Sequence, residues 1–349
     1  MSASPPDDVW VLVLAGGRGT RFWPLSRRAR PKQVLSIDGG PTLVERAVRR
    51  AGVPVDRVLV VTGPDMEEAV REALPAGVGV LVEPSGRNTA PAIAWGVREV
   101  AARGGRRVIV LPSDHMVKDE DGFRAVLREA LEVADAGALV TLGVRPTRPE
   151  TAFGWILPGD DAPTARADRA VARFVEKPPL AAARAMLDEG RALWNAGMFV
   201  WKTDVFMDAV ARYLPRTAAA LGRLSHGADV REVWTDTEAT SVDYGVLERA
   251  TNVRVLPLDV GWSDVGSWTA LDEVLPVGEG GVSVAAALVA QDAAGNVVHA
   301  PGKLVALLGV HDLLVIDAPD ALLVARREDA QAVRQLLEEV ERRGLTRYT

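Results

Sequence analysis

The chain has 349 residues, 48% hydrophobic and 25% charged, which is the profile of a globular protein with room for two domains. It has no cysteine, which excludes disulfides, thiolate nucleophiles and cysteine-bound zinc, and its four histidines show no metal-ligand spacing, so any metal is expected on carboxylates and of the hard kind, such as magnesium. A net charge of −6 gives no global field for nucleic acid; no apolar run approaches a bilayer span, and "MSASPPDDVW" is no signal peptide, so a cytoplasmic protein without nucleic-acid or membrane partners is expected.

In chain order, "VWVLVLAG" reads as a buried strand and "PTLVERAVRRAG" as a helix with Leu43, Val44, Ala47 and Val48 on one face. Strands follow at "RVLVVTG", "GVLVEP", "RRVIVLPSD" and "ALVTLGV", with helices at "MEEAVREAL", "TAPAIAWGVREVAAR" and "FRAVLREALEVAD" between them. This alternation predicts an α/β fold: a Rossmann-like, mixed but mainly parallel sheet flanked by helices. Ligands of such sheets bind beyond the carboxyl ends of the strands. Past Val144 the pattern loosens: "RPTRPETAFGWI" is a loop entering a strand, "ARFVEKPP" a strand, "LAAARAMLDEG" a helix closed by Gly190, and "WNAGMFVWKTDVFMDAV" a strand then a helix. From about residue 280 the texture turns to β alternation, closed by an amphipathic helix, "DAQAVRQLLEEVERRG". Two domains are expected, 1–275 and a small β-rich unit, 276–349, ending in that helix.

"LAGGRGTRFWPLSRRARPK" packs three glycines and six cations directly behind the first strand. It is neither a Walker A loop nor a complete dinucleotide fingerprint, which Phe22 breaks. Gly16, Gly17 and Gly19 permit a tight turn with backbone N–H groups toward an anion, and Arg18, Arg21, Arg27, Arg28, Arg30 and Lys32 add positive charge, so phosphate binding is expected. This stretch resembles the signature of sugar-1-phosphate nucleotidyltransferases, and "RFWPLSR" with "PKQ" is similar to the mannose-1-phosphate guanylyltransferase branch. The resemblance implies a nucleotidyltransferase (GT-A-like) fold, with Leu14, Ala15, Gly16, Gly17, Gly19 and Thr20 around a nucleoside triphosphate and Arg21 and Lys32 on its phosphates.

Seven further stretches match that branch in family order. "EPSGRNTAPAIAW" supplies Glu83, Arg87 and Asn88; a carboxylate at Glu83 could accept both N–H groups of a guanine edge, while its bland role would be a helix cap. "LPSDHMV" places Asp114 at a strand end, and "VGWSDVGSW" sets Asp264 among tryptophans and glycines; chemistry alone does not join them, but the resemblance implies that both hold one magnesium ion. "FVEKPP" implies Glu176 and Lys177 at the sugar phosphate, "WNAGMFVW" implies Asn195 on sugar hydroxyls, "TAFGWI" implies Gly154 against the sugar ring, and "SVDYGVLE" implies Asp243 near the sugar or the metal. Phe153 and Trp155 stand where many relatives have tyrosine. The tail lacks a long β-helix hexapeptide repeat, and there is no room for the isomerase domain of longer relatives, so a short, monofunctional bacterial-type enzyme is expected.

The implied reaction joins GTP and mannose 1-phosphate into GDP-mannose and pyrophosphate. The sugar phosphate, largely dianionic at neutral pH, attacks the α-phosphorus in line, so no protein nucleophile is needed. Arg21, Lys32 and Lys177 would offset the meeting of two anions. The alternatives are another hexose 1-phosphate, giving for example GDP-glucose, or a non-catalytic sugar-nucleotide sensor on the same fold. A dehydrogenase or glycosyltransferase is disfavoured by the broken fingerprint and basic loop. The sequence leaves a homodimer open.

Overall fold

The computed structural model describes residues 6–17, 19–160, 167–275 and 277–349. Its first part alternates as the sequence predicts: β1 (Val9–Ala15), α1 (Leu43–Arg50), β2 (Val58–Thr62), α2 (Glu67–Ala73), β3 (Gly79–Val82), α3 (Thr89–Ala102), β4 (Arg107–Pro112), the short β5 (Met116–Val117), α4 (Glu120–Asp135) and β6 (Leu139–Val144). Then come β7 (Gly154–Pro158), β8 (Arg169–Glu176), a helix at Leu180–Glu189 closed by Gly190, β9 (Leu193–Lys202), β10 (Val253–Leu258) and the short β11 (Trp262–Ser263).

Among the described residues these strands build a nine-stranded sheet in the order β3-β2-β1-β4-β9-β6-β10-β8-β7. The β3-β2-β1-β4 part is parallel, and β10 runs parallel to β6. β9 enters between β4 and β6, antiparallel to both. Its burial explains the place: Trp194, Ala196, Met198, Phe199, Val200 and Trp201 are all buried, and a strand apolar on both faces belongs inside a covered sheet. Side chains alternate across the sheet. Val9, Val11 and Val13 meet α1, α2 and α4 on one face, while Trp10 and Leu12 meet α3 on the other.

Among the described residues the C-terminal part is a five-stranded sheet of β12 (Val277–Gly278), β13 (Gly281–Gln291), β14 (Asn296–Leu308), β15 (Leu313–Ala318) and β16 (Ala321–Arg326), followed by a 3₁₀ turn (Arg327–Ala332) and a helix (Val333–Arg342). β13, β14 and β15 are parallel neighbours, with Gly281 beside Asn296 and Val297 beside Leu314. Parallel neighbours normally need a long crossover. Here the strands themselves bend, with a register shift after Ala285, so the chain coils back beside itself in short turns. This unit shares a core with the glycine-arginine loop: Leu314, Ile316, Leu323, Val333 and Leu337 cluster with Phe22, Trp23, Leu35, Ile37 and Trp268.

Candidate active site

β1 and β4 run parallel and end at a cavity of about 440 Å³, whose lining includes Leu14, Ala15, Gly16, Gly17, Glu83, Asn88, Asp114 and Asp243. Lys32 leads a one-turn 3₁₀ helix and is buried. Its ammonium donates to Asp114 Oδ2 and to the Asp264 carbonyl, each at 2.9 Å. Gly19 has φ 63°, and a Cβ there would stand 2.1 Å from the Lys32 Cβ. That glycine is therefore required by the closeness of Lys32, a packing reason distinct from anion binding. Gly16 and Gly17 face no such obstacle: a Cβ at Gly17 would meet nothing within 4 Å.

A two-residue ribbon brings the distant aspartates together. β11 pairs antiparallel with β5, Trp262 with Val117 and Ser263 with Met116, so Asp264 leaves the ribbon beside Asp114. Val265, buried and β-branched, has φ 45°, a conformation rare outside glycine, and Gly266 N–H donates to Asp264 Oδ1 at 3.1 Å. Burial would raise the Asp114 carboxyl, but the Lys32 ammonium, then His115, hold it below its usual value. Burial raises the Asp264 carboxyl; Lys32 opposes and the Asp114 charge adds to the rise. Burial lowers His115 to about 4, so its ring is neutral; Nδ1 accepts from Trp262 Nε1 at 3.2 Å, which leaves the proton on Nε2, 3.8 Å from Asp114 Oδ1. No group of three or more His, Cys, Asp or Glu suited to a metal occurs among the described residues. Two carboxylates that repel each other and are partly balanced by one ammonium fit a hard divalent ion that takes its remaining ligands from a substrate.

Glu83, which also lines the cavity, is 7% exposed, its Oε2 has no hydrogen-bond partner, and burial pushes its carboxyl up to about 7. It does not cap α3; Asn88 does, at φ 69°, accepting from Thr89 N–H at 2.8 Å. Arg87 turns to Thr237, donating to its Oγ1 and carbonyl at 3.0 and 2.6 Å, and does not line the cavity.

On the other side Asn195 accepts from Gly197 N–H at 3.1 Å and Thr141 Oγ1 at 3.2 Å, and donates to Asp243 Oδ1 at 2.7 Å. Burial raises Asp243 to about 6 against that hydrogen bond, and the Glu176 charge adds to the rise. Gly154 pairs with Glu176, and a Cβ on it would lie 2.5 Å from Glu176 Oε2, so a glycine is needed where that side chain crosses. Lys177, at φ 45°, is 67% exposed on the rim, 3.5 Å from Glu176 Oε1.

The loop's arginines are not all anion-facing. Thr20 opens a 3₁₀ turn that carries Arg21, whose Nη1 donates to Gln331 Oε1 at 3.1 Å. Arg27 pairs with Asp320 at 2.8 Å and also donates to the Tyr348 carbonyl, and Arg28 pairs with Glu341 at 3.1 Å. Much of the positive charge thus meets the C-terminal unit. Arg18 lies outside the described residues. The sequence reading missed His115, Gln33, which lines the cavity and donates to Ala15 O at 3.2 Å, and Trp262; each adjoins a residue it did name or lies two away.

Comparisons with known proteins agree with this fold. The nucleotidyl transferase family matches residues 10–277, and a mannose-phosphate isomerase/GMP-like β-helix domain matches residues 287–340. The mannose-1-phosphate guanylyltransferase ManC of Salmonella typhimurium is 36% identical, over 96% of this chain and 74% of its own length. The xanthan biosynthesis protein XanB of Xanthomonas campestris is 35% identical, over 98% of this chain and 75% of its own. A crystal structure from Thermus thermophilus, described as a mannose-1-phosphate geranyltransferase, superposes with a TM-score of 0.89 at 40% identity, covering 96% of this chain and 99% of that one. With an α/β sheet whose strand ends carry such a site, and family matches along most of its length, the chain belongs to the nucleotidyl transferase family.

Proposed function

We propose that this protein transfers GMP from GTP to α-D-mannose 1-phosphate, releasing pyrophosphate and forming GDP-mannose. The relatives' names support the reaction, and one observation carries it in this chain: Asp114, which lines the cavity together with a buried Glu83 whose Oε2 has no partner, is joined through the Lys32 ammonium to Asp264. Glu83 would accept from guanine N1–H and the exocyclic amine. Lys32 and Arg21 would face the triphosphate. Asn195, Asp243, Glu176 and Gly154 would take the sugar, and Lys177 its phosphate. A magnesium ion held by Asp114 and Asp264 would supply positive charge at the reacting phosphates. A cytoplasmic location belongs to the same proposal; no helix among the described residues is long and apolar enough to cross a membrane. We place the boundary between the catalytic and β-rich parts at 275/276.

Pyrophosphate release measured with GTP, ATP, UTP and dTTP against mannose and glucose 1-phosphates tests this reading. GTP with mannose 1-phosphate should give the highest kcat/KM, and Asp264→Asn should lose nearly all turnover. Preference for another nucleotide, or full wild-type turnover with chelator and no added metal, would overturn it.

A further inference from the structure

We propose that Gln331, on the C-terminal 3₁₀ turn, is a positioning residue for nucleotide binding: it aims the Arg21 guanidinium while leaving its charge free for a triphosphate. This rests on the proposed function, which places Arg21 at the phosphates.

The partners of the loop's arginines differ in kind. Arg27 and Arg28 are met by the carboxylates of Asp320 and Glu341, which neutralise them and tie the loop down. Arg21 is met by a neutral amide, Gln331 Oε1, at 3.1 Å. An amide oxygen fixes one N–H of the fork and leaves the others, with the whole positive charge, for an incoming anion. A carboxylate there would hold the same side chain and also compete with phosphate.

Both ends of the contact are anchored. Phe22, next to Arg21, is fully buried with its ring 4.8 Å from Trp268, whose Nε1 donates to Trp23 O at 3.2 Å. Trp23 Nε1 in turn donates to the Tyr348 carbonyl at 2.7 Å. Gln331 follows the buried Ala330 and precedes the buried Val333 by two residues. Arg327, at the start of the same turn, donates to Gly295 O at 3.1 Å and pairs with Asp272. With both backbones fixed, the amide removes rotamer freedom that Arg21 would otherwise lose on binding.

The test compares wild type, Gln331→Ala and Gln331→Glu in the full chain, and Gln331→Glu again in an Arg21→Ala background. Calorimetry reads the Kd for GTP, and steady-state assays read KM for each substrate, at low and high salt. Gln331→Glu is expected to weaken GTP about fivefold, the scale of one exposed ion pair, with the ratio to wild type shrinking as salt screens the pair. Gln331→Ala should weaken GTP about twofold with no salt dependence in the ratio. KM for mannose 1-phosphate should stay unchanged, and Gln331→Glu should do nothing further once Arg21 is alanine. Equal losses for both substrates, or an undiminished Gln331→Glu effect in the Arg21→Ala background, would overturn the proposal. GTP binding without turnover of mannose 1-phosphate in the wild type would overturn the proposed reaction instead, and the calorimetric comparison would still decide the role of Gln331.

Discussion

At the scale of single residues, the site is defined by groups held in states they would not choose in water. Glu83 keeps its proton up to about pH 7 because its anion is buried without a donor. A guanine edge would supply two donors and favour the anion, so GTP binding below pH 7 should release a proton, and affinity should rise from pH 6 to 8 and then level off. Titration calorimetry in buffers of different ionisation enthalpy reads this. Glu83→Gln should flatten that profile and weaken GTP roughly 10- to 100-fold, the value of a charge-assisted hydrogen bond. For stability the sign is reversed. The carboxyl binds its proton more tightly folded than unfolded, so its contribution falls as pH rises from about 4.5 to about 7. Glu83→Gln should therefore unfold at higher temperature than wild type at pH 8. Lys177 gives a complementary test because it is exposed and its loss leaves the fold intact. Lys177→Ala should raise KM for the sugar phosphate about tenfold or more while leaving that for GTP within about twofold. The identities of Lys32, Asp114, Asp264 and Glu83 were readable because a motif names them. The left-handed backbone at Lys177 and Val265, and the diversion of Arg87 to Thr237, were not, since they depend on segments remote in the chain.

At the scale of elements, local pattern found most of the strands and helices, and pairing decided the rest. The run Leu43, Val44, Ala47, Val48 is buried as the helical period requires, and Gly190 ends its helix at φ 73°. The place of β9 between β4 and β6 could not be read, because periodicity records burial and not neighbours. Nor could the ribbon of β5 and β11, two residues on each side, far too short for any pattern. The sequence suggested that the loop's glycines serve an anion. The structure adds that Gly19 serves Lys32. Gly19→Ala would force a Cβ into the Lys32 stem in a left-handed conformation, at a cost of about 2–4 kcal/mol. Denaturant unfolding should show that loss, and the surviving folded enzyme should bind GTP more weakly, since Lys32 would be pushed off Asp114.

At the scale of the whole molecule, the β-rich unit is a structural partner of the glycine-arginine loop. The shared core of Phe22, Trp23, Leu35, Ile37 and Trp268 with Leu314, Ile316, Leu323 and Val333 would be opened to water by removing residues 276–349. A chain ending at Leu275 is expected to be aggregation-prone and to melt well below the full protein, as scattering and calorimetry would show. The sequence marked this unit by its alternation but not its coil, because direct parallel stacking without a hexapeptide repeat leaves no period to detect.

The ribbon that joins β5 to β11 makes the proposed reaction centre bipartite. One aspartate comes from the first third of the chain and the other from the last third, and four main-chain residues stitch them into register. If the polypeptide were severed between Asp114 and Asp264, each fragment would carry half of the centre. Turnover from a mixture of the two should then climb with the square of fragment concentration until reassembly saturates.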